Sequence, residues 1–266
     1  MPIGEGAVIS SPSAHARVLD LAAAFAAARG SHGAGEGAAS APRAVQRVLD
    51  VGCGSGYLTA ALALLADGAE VVGIDRAPQL VARARAAARA AAVDMASRAA
   101  LSGDLARGEW AQRLLSTRAL RYVACDALDG AGVGSDLGGA TFDLIVVGAA
   151  APAPPPPLLA LLARGGRMVI PLGDATQVLT IFDVPADGGE LVATRLDSVA
   201  YAPLAPARDA GDGDDETDPA AVQRALREWQ EGFKASHGRK PSRADMEADA
   251  DASALLARFR AREGRG

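Results

Sequence analysis

The sequence predicts an α/β fold: a mixed sheet with a parallel body, crossover helices and an antiparallel edge, followed by a small C-terminal helical module. Three observations predict it. Between residues 48 and 204, short β-branched and aliphatic runs alternate with longer Ala/Leu/Arg segments of helical period, the pattern of parallel strands joined by crossover helices. The last three strand-like runs are separated only by turn-length gaps at 173–177 and 185–189, which leaves no room for a helix and makes that edge antiparallel. After Pro203 the chain turns acidic and then basic with one apolar helical face, which sets a tail apart from the sheet.

The elements follow in order. A helix is expected at 14–29; its many alanines reflect a bias that runs through the whole chain and carry little functional weight. Strands are expected at 48–51, 71–74, 121–124, 144–147, 167–171, 178–182 and 191–201, with crossover helices at 58–66, 78–92 and 155–163. Two stretches read as insertions: 31–41, rich in Gly, Ala and Ser, and 94–117, polar and partly helical. Both are expected to be surface decoration of low order. The acidic run D-A-G-D-G-D-D-E-T-D at 209–218 cannot bury apolar surface and reads as a linker. The chain therefore divides into a domain at 1–205, a linker at 206–218 and a helical module at 219–266. The module holds ten Lys/Arg against seven Asp/Glu and sets Leu226, Trp229 and Phe233 on one helical face.

Composition narrows the function. A chain of 266 residues, 50% hydrophobic, can bury one full core. Cys53 and Cys125 form neither a disulfide framework nor a metal-ligand spacing, so the expectation is a reducing compartment, the cytoplasm, and no metal. Glu5 precedes the first basic residue, Arg17, unlike a secretory leader. The uncharged run at 144–163 is about as long as a membrane span, but Pro152 and the prolines at 154–157 would break such a helix. A net charge of −5 argues against a protein built throughout to coat nucleic acid.

The candidate cofactor site begins at V-L-D-V-G-C-G-S-G-Y, residues 48–57, an apolar strand running into Gly52, Gly54 and Gly56 and then a helix. Glycine lets the backbone turn sharply and approach a ligand where a Cβ would collide. The spacing G-x-G-x-G differs from the dinucleotide fingerprint G-x-G-x-x-G, so alone it is a weak signal. The next strand, V-V-G-I-D, ends in Asp75, 19 residues after Gly56 and placed to accept hydrogen bonds from two ribose hydroxyls. A third strand, V-A-C-D at 123–126, ends in Asp126. The alternative for both acids is that they cap helices or turns. Cys53 reads as a small residue within the turn, not a reactive thiol. Together the three strand ends resemble the class I S-adenosylmethionine-dependent methyltransferases, with their Rossmann-like sheet. That resemblance implies S-adenosyl-L-methionine as cofactor, with an adenine contact at Asp126 and Ser55, Arg76 and Ala127 completing the binding set.

The segment before the glycine turn is more specific. P-I-G-E-G-A-V-I-S-S-P-S-A-H at 2–15, F-D-L-I-V-V-G-A-A-A-P at 142–152, G-G-R-M-V-I-P-L-G at 165–173 and Y-A-P-L at 201–204 resemble the protein-L-isoaspartate O-methyltransferases over nearly all of the first 204 residues. The resemblance implies methyl transfer to the α-carboxylate of L-isoaspartyl residues in damaged proteins. The ester would then cyclise to a succinimide whose hydrolysis returns part of the chain to normal aspartate. Ser10 would be the active-site hydroxyl at the acceptor. Ala7, Val8 and Ile9 would line the pocket, and His15 falls where some members contact the cofactor product. Without the resemblance, Ser10 would be a helix-initiating residue and His15 part of a first turn. A carboxylate acceptor also suits the chain's three histidines, because a group of pKa about 4 is already ionised and needs no base.

Three departures from the family pattern stand out. Val8 replaces the usual threonine, Ser13 replaces a frequent histidine, and Met1 stands almost on the motif where relatives carry a helical segment that helps close the pocket.

The partners implied are isoaspartyl-containing proteins or peptides, with no membrane and a monomeric state. In the tail, the pattern W-x-x-x-F, then H-G-R-K-P-S, then an acid resembles a short N-terminal segment of RecQ-like replication helicases, over 226–262. Ser242 is expected to cap its second helix, Gly238 to end its first, and Trp229 and Phe233 to pack on Leu255, Leu256 and Phe259. Nucleic acid would enter only through this tail, where Arg239, Lys240 and Arg243 cluster. Two rival readings are a class I methyltransferase for another carboxylate or a small molecule, and an inactive cofactor-binding adaptor whose working part is the tail.

Overall fold

Strand β6 (Phe142–Val147) is buried at every residue, which only a strand covered on both faces can be. It sits near the middle of a seven-stranded sheet of order β5-β4-β3-β6-β7-β8-β9 in a computed structural model of the chain. Its companions are β3 (Arg47–Val51), β4 (Glu70–Asp75), β5 (Leu120–Ala124), β7 (Leu162–Leu172), β8 (Gln177–Asp183) and β9 (Val192–Val199). Pairings from β5 through to β7 are parallel, and β7–β8 and β8–β9 are antiparallel, as the short gaps required. The chain divides into two compact units, Met1–Ala207 and Arg208–Gly266. The structure describes residues 2–4, 7–30, 44–66, 68–116, 119–206 and, in the second unit, 229–230, 233–234, 239–242 and 245–246.

Alternation along each strand sends side chains to two separate cores. Val48, Val71 and Val146 face α1 (Pro12–Gly30), α2 (Tyr57–Leu65) and α3 (Pro78–Ser102), packing with Val18, Phe25, Leu62 and Val81. Leu49, Val72 and Ile145 face the other side, with Val133 of α5 (Gly130–Asp136) and Leu158 of α6 (Pro156–Ala160). Since β3 has β4 on one side and β6 on the other, the sheet order reverses there. A crevice opens at the carboxyl ends of these two strands.

Four sequence expectations change. The stretch 94–117 is not loose decoration: α3 continues to Ser102, Gly103 closes it in the left-handed conformation, and Asp104 caps α4 (Leu105–Leu115) by accepting from the Arg107 N–H. The added helix is anchored because Ala111 and Leu114 are buried and the Arg113 guanidinium donates to the carbonyls of Ala63 and Ala66 at the end of α2 and of Ala69 just ahead of β4. Helix α6 is shorter than expected because the buried Leu162 already begins β7. A glycine-rich stretch forms α5, capped by Asp129 and held by buried Val133. Ahead of α1, β1 (Pro2–Gly4) and β2 (Ala7–Val8) form a small antiparallel pair that strand periodicity was too short to reveal. The stretch 31–41 lies outside the described residues.

Helix α1 is locked to the sheet by charge. The guanidinium of Arg29 pairs with Asp143 at 3.2 Å, both side chains at least nine-tenths buried, and also donates to the Gly165 carbonyl. Asp143 Oδ2 accepts from the Gln46 and Arg47 N–H groups, so it also fixes the start of β3. The guanidinium groups of Arg29 and Arg167 both lie over the Phe25 ring, 5.3 and 5.0 Å from its centroid.

In the second unit, the Trp229 and Phe233 rings are 5.4 Å apart and Arg239 lies 5.1 Å over Phe233. Ser242 and Asp245 bond reciprocally at a helix start: the Ser242 N–H donates to Asp245 Oδ2 and the Asp245 N–H to Ser242 Oγ. Arg239 forks onto the same carboxylate at 2.7 and 2.8 Å, so this cation of the Arg239, Lys240 and Arg243 cluster is engaged within the chain. The Arg239 hydrogen bonds, backed by those from Ser242, hold the Asp245 carboxyl below the usual carboxylate range. Gly238, Arg243, Leu255, Leu256 and Phe259 lie outside the described residues. No helix among the described residues is long and apolar enough to cross a membrane.

Breaking the buried Arg29–Asp143 pair strands a charge. Urea denaturation of Asp143→Ala should show a loss of about 3–5 kcal/mol. Removing Asp197 from its exposed pair with Arg17 should cost less than about 1 kcal/mol.

Candidate functional site

The turn from β3 into α2 takes positive φ at Gly52 (77°), Gly54 (52°) and Gly56 (79°). It is held from β4: the Gly52 and Cys53 N–H groups both donate to the Ile74 carbonyl, and the Gly54 N–H donates to Asp75 Oδ2 at 3.0 Å. Asp75 Oδ1 accepts from the Ala77 N–H, also at 3.0 Å. The carboxylate thus braces the glycine turn on one side and the turn leading into α3 on the other, and Asp75 lines the crevice. A Cβ at Gly56 would come within 2.7 Å of Ala84 Cβ and 2.9 Å of Tyr122 Oη, so only glycine lets α3 and β5 close on the turn.

Two cavities open on this turn. The larger, about 330 Å³, runs past Gly52, Gly54, Asp75, Arg76, Leu80 and Ala127, with Ile3 and Ala7 on one lip and 202–205 on the other. The smaller, about 50 Å³, is lined by Ile9, Ser10, His15, Asp50, Ser55 and Tyr201, among others. Ile3, Gly52, Gly54 and Gly148 line both, so the two spaces meet at the glycine turn. Among the described residues no group of three or more His, Cys, Asp or Glu could hold a metal ion.

Ser10 is free to face the small pocket because Ser11 starts the helix. The Ala14 N–H donates to Ser11 Oγ, with Pro12 as the first helical residue. His15, on the first turn, lies 5.1 Å from the Tyr57 ring, and burial lowers its pKa. Arg76 lines the larger cleft while its Nη1 donates to the Pro206 carbonyl, pinning the lip formed by 202–205. Asp126 stands outside the lining, which includes its neighbours Cys125 and Ala127; its Oδ1 accepts from the Leu128 N–H, the turn-capping alternative. Val8 is placed by its backbone in β2, and its side chain lies outside the described residues. Burial, with Asp50 and Asp75 adding, pushes the Cys53 thiol above its usual range, which makes it inert.

Sequence reasoning did not single out Asp50 as part of the pocket. It is 1% exposed and accepts a 2.6 Å hydrogen bond from Thr59 Oγ1. Thr59 has room because Gly73, the register partner of Asp50 on β4, carries no side chain: a Cβ there would meet the threonine side chain at 2.8 Å. Burial pushes the Asp50 pKa up to about 7, the Thr59 bond opposing and the Asp75 charge adding. Gly148 was also missed, although its position at the end of β6, beside the reversal of strand order, marks it as a ligand-facing residue.

These residues can be set beside known proteins. The profile of the Protein-L-isoaspartate(D-aspartate) O-methyltransferase (PCMT) family matches residues 1–209. A protein-L-isoaspartate O-methyltransferase of Triticum aestivum is 36% identical over 207 residues, 77% of this chain and 72% of that one. One from Anaeromyxobacter sp. (strain Fw109-5) is 40% identical over 162 residues, 60% of this chain and 62% of that one, so the chain spans less than two thirds of that relative. A Plasmodium falciparum protein-L-isoaspartate O-methyltransferase, crystallised with S-adenosyl-L-homocysteine, shares the fold with a TM-score of 0.55 at 24% identity, covering 77% of this chain and 79% of that one.

The pKa of Asp50 makes a pH prediction. Because its folded pKa lies above the unfolded one, the folded state holds the extra proton between about pH 4 and pH 7. That contribution to stability is full at the acid end and is lost as pH rises through about 7. Urea midpoints measured from pH 4 to pH 8 should fall with pH more steeply in the unmodified chain than in Asp50→Asn, which should gain relative stability at pH 8.

With the class I methyltransferase fold and the family's sequence across four fifths of its length, the chain belongs to the protein-L-isoaspartate(D-aspartate) O-methyltransferase family of S-adenosylmethionine-dependent protein carboxyl methyltransferases.

Proposed function

We propose that the chain methylates the α-carboxylate of L-isoaspartyl residues in damaged proteins, drawing on S-adenosyl-L-methionine. The observation that carries this reading is the junction of the two cavities at Gly52 and Gly54, with Ser10 in the small one and Asp75 in the large one. The donor set suits the cofactor. Asp75 keeps acceptor capacity for ribose hydroxyls beyond its two N–H partners, Leu80, Ile74 and Ala127 offer an apolar bed for adenine, and the turn carries no side chain where a ligand passes closest. S-adenosyl-L-methionine, when bound, supplies a methyl group on a positively charged sulfur.

The protein's own residues bind and orient. The acceptor arrives already ionised, so no side chain need remove a proton. Ser10 can donate its hydroxyl hydrogen to one carboxylate oxygen and leave the other aimed along the junction. Held largely protonated below about pH 7, Asp50 presents no full negative charge to an incoming carboxylate in the pocket that both line. Ile3 and Tyr201 complete the apolar wall of the small pocket.

Further parts of this reading are a monomeric enzyme and a reducing compartment, the cytoplasm, which the buried free thiols of Cys53 and Cys125 support. The tail at 219–266, joined by the acidic linker at 206–218, is read as a separate helical module of the kind that 226–262 resembles. The reciprocal Ser242–Asp245 bonds support a helix start there. The engagement of Arg239 by Asp245 favours a protein partner over DNA.

Radiolabelled methyl transfer to an isoaspartyl peptide and its normal-aspartyl twin tests the activity: label should enter the first, and equal labelling of both would favour the rival general-carboxylate reading. Ser10→Ala should lower turnover more than cofactor affinity. In calorimetry, Asp75→Ala should weaken S-adenosyl-L-methionine binding by about 1.5–3 kcal/mol, the range for a hydrogen bond to a charged group.

A further inference from the structure

We propose that Arg83 is a positioning residue for methyl transfer, holding the β1 end of the N-terminal hairpin in place as the wall shared by the two cavities. The proposal rests on the acceptor-pocket reading above. Arg83 lies on the exposed side of α3, and its Nη1 donates to the Ile3 carbonyl at 2.9 Å. That nitrogen lies 2.7 Å from the point a Cβ on Gly4 would occupy, and Gly4 takes φ +91°. A side chain at Gly4 would therefore displace the guanidinium as well as strain the backbone. From the same hairpin the Ile3 side chain reaches inward, its Cδ1 3.0 Å from where a Cβ on Gly54 would stand, and it lines both cavities.

The contacts run in series from a rigid helix to the reacting region: Arg83 to the Ile3 backbone, then the Ile3 side chain to the glycine turn. The hairpin cannot hold that position alone. Its strands are three and two residues long, and an isolated two-stranded hairpin is marginal in water. A charged donor on a 25-residue helix supplies an anchor among the described residues. Loosening it leaves the buried core untouched, since Arg83 is exposed, but lets Ile3 drift from the junction where the acceptor must align.

The test uses the full chain as Arg83→Ala, Arg83→Lys, Gly4→Ala and the Gly4→Ala/Arg83→Ala pair. Amide hydrogen exchange across 2–8 should quicken in Arg83→Ala while β3 and β6 keep their protection. Calorimetric affinity for S-adenosyl-L-homocysteine and kcat/KM for an isoaspartyl peptide should each fall about three- to tenfold, the worth of one hydrogen bond net of solvent, with the kinetic loss in kcat because a poorly aligned acceptor still binds. Arg83→Lys should recover part of both, because an ammonium can donate to the same carbonyl. The two single variants should combine with less than the product of their effects, since both break one contact. Unchanged hairpin exchange in Arg83→Ala, or fully multiplicative effects in the pair, would overturn the proposal. If the unmodified chain methylates no isoaspartyl peptide, the acceptor reading fails, and exchange together with S-adenosyl-L-homocysteine affinity still decides the role of Arg83.

Discussion

The arrangement depends on a Cβ that is absent three times in five residues. Because Gly56 has none, Ala84 and the Tyr122 hydroxyl close on the turn, which brings α3 and β5 to their places beside β4. Because Gly54 has none, Ile3 can lie on the turn from outside while the Gly54 N–H turns inward to Asp75. The carboxylate at the end of β4 and the hairpin at the front of the chain are therefore both positioned by the backbone of one loop. An alanine at either position forces a shift in elements that are more than twenty residues away in sequence.

That loop also decides where charge can sit. Asp50 enters it from a strand buried on both faces, and Asp75 braces it from the next strand, so two carboxyls lie near each other around a backbone that can solvate only one well. Asp75 takes two N–H donors; Asp50 receives one hydroxyl and full burial, and its pKa rises. The outcome is a pocket that is less negative than its composition suggests. This matters for an acceptor that is itself a carboxylate. Partial burial lowers the pKa of His15, which lines the same small pocket.

Much of this was legible in the sequence because it is local. The inner strands β3, β4 and β6 are runs buried on both faces, and the glycine turn and the acid at the end of β4 are readable from spacing alone. What was not legible depends on contacts between distant residues. The segment 94–117 looked like decoration because its anchor is Arg113 reaching the carbonyls at and just past the end of α2. The assignment of Ser10 needed to know that Ser11, one residue on, takes the capping role. Asp50 entered the site only through Thr59 and the space left by Gly73, and the lip at 202–205 is tied down by Arg76 reaching Pro206 and by the Ala150 backbone. At Asp126 the sequence offered an adenine contact or a turn cap; its Oδ1 accepts from the Leu128 N–H, and its neighbours Cys125 and Ala127 line the larger cleft.

The central claim is that one glycine turn joins a cofactor cleft to an acceptor pocket. A crystal structure of the chain with S-adenosyl-L-homocysteine and an isoaspartyl peptide tests it most directly. The account predicts the ribose hydroxyls on Asp75, the sulfur at the Gly52–Gly54 junction and the peptide α-carboxylate within hydrogen-bond distance of Ser10. A nucleoside bound elsewhere, or a peptide carboxylate held away from the small pocket while the cofactor product fills the large one, would contradict it.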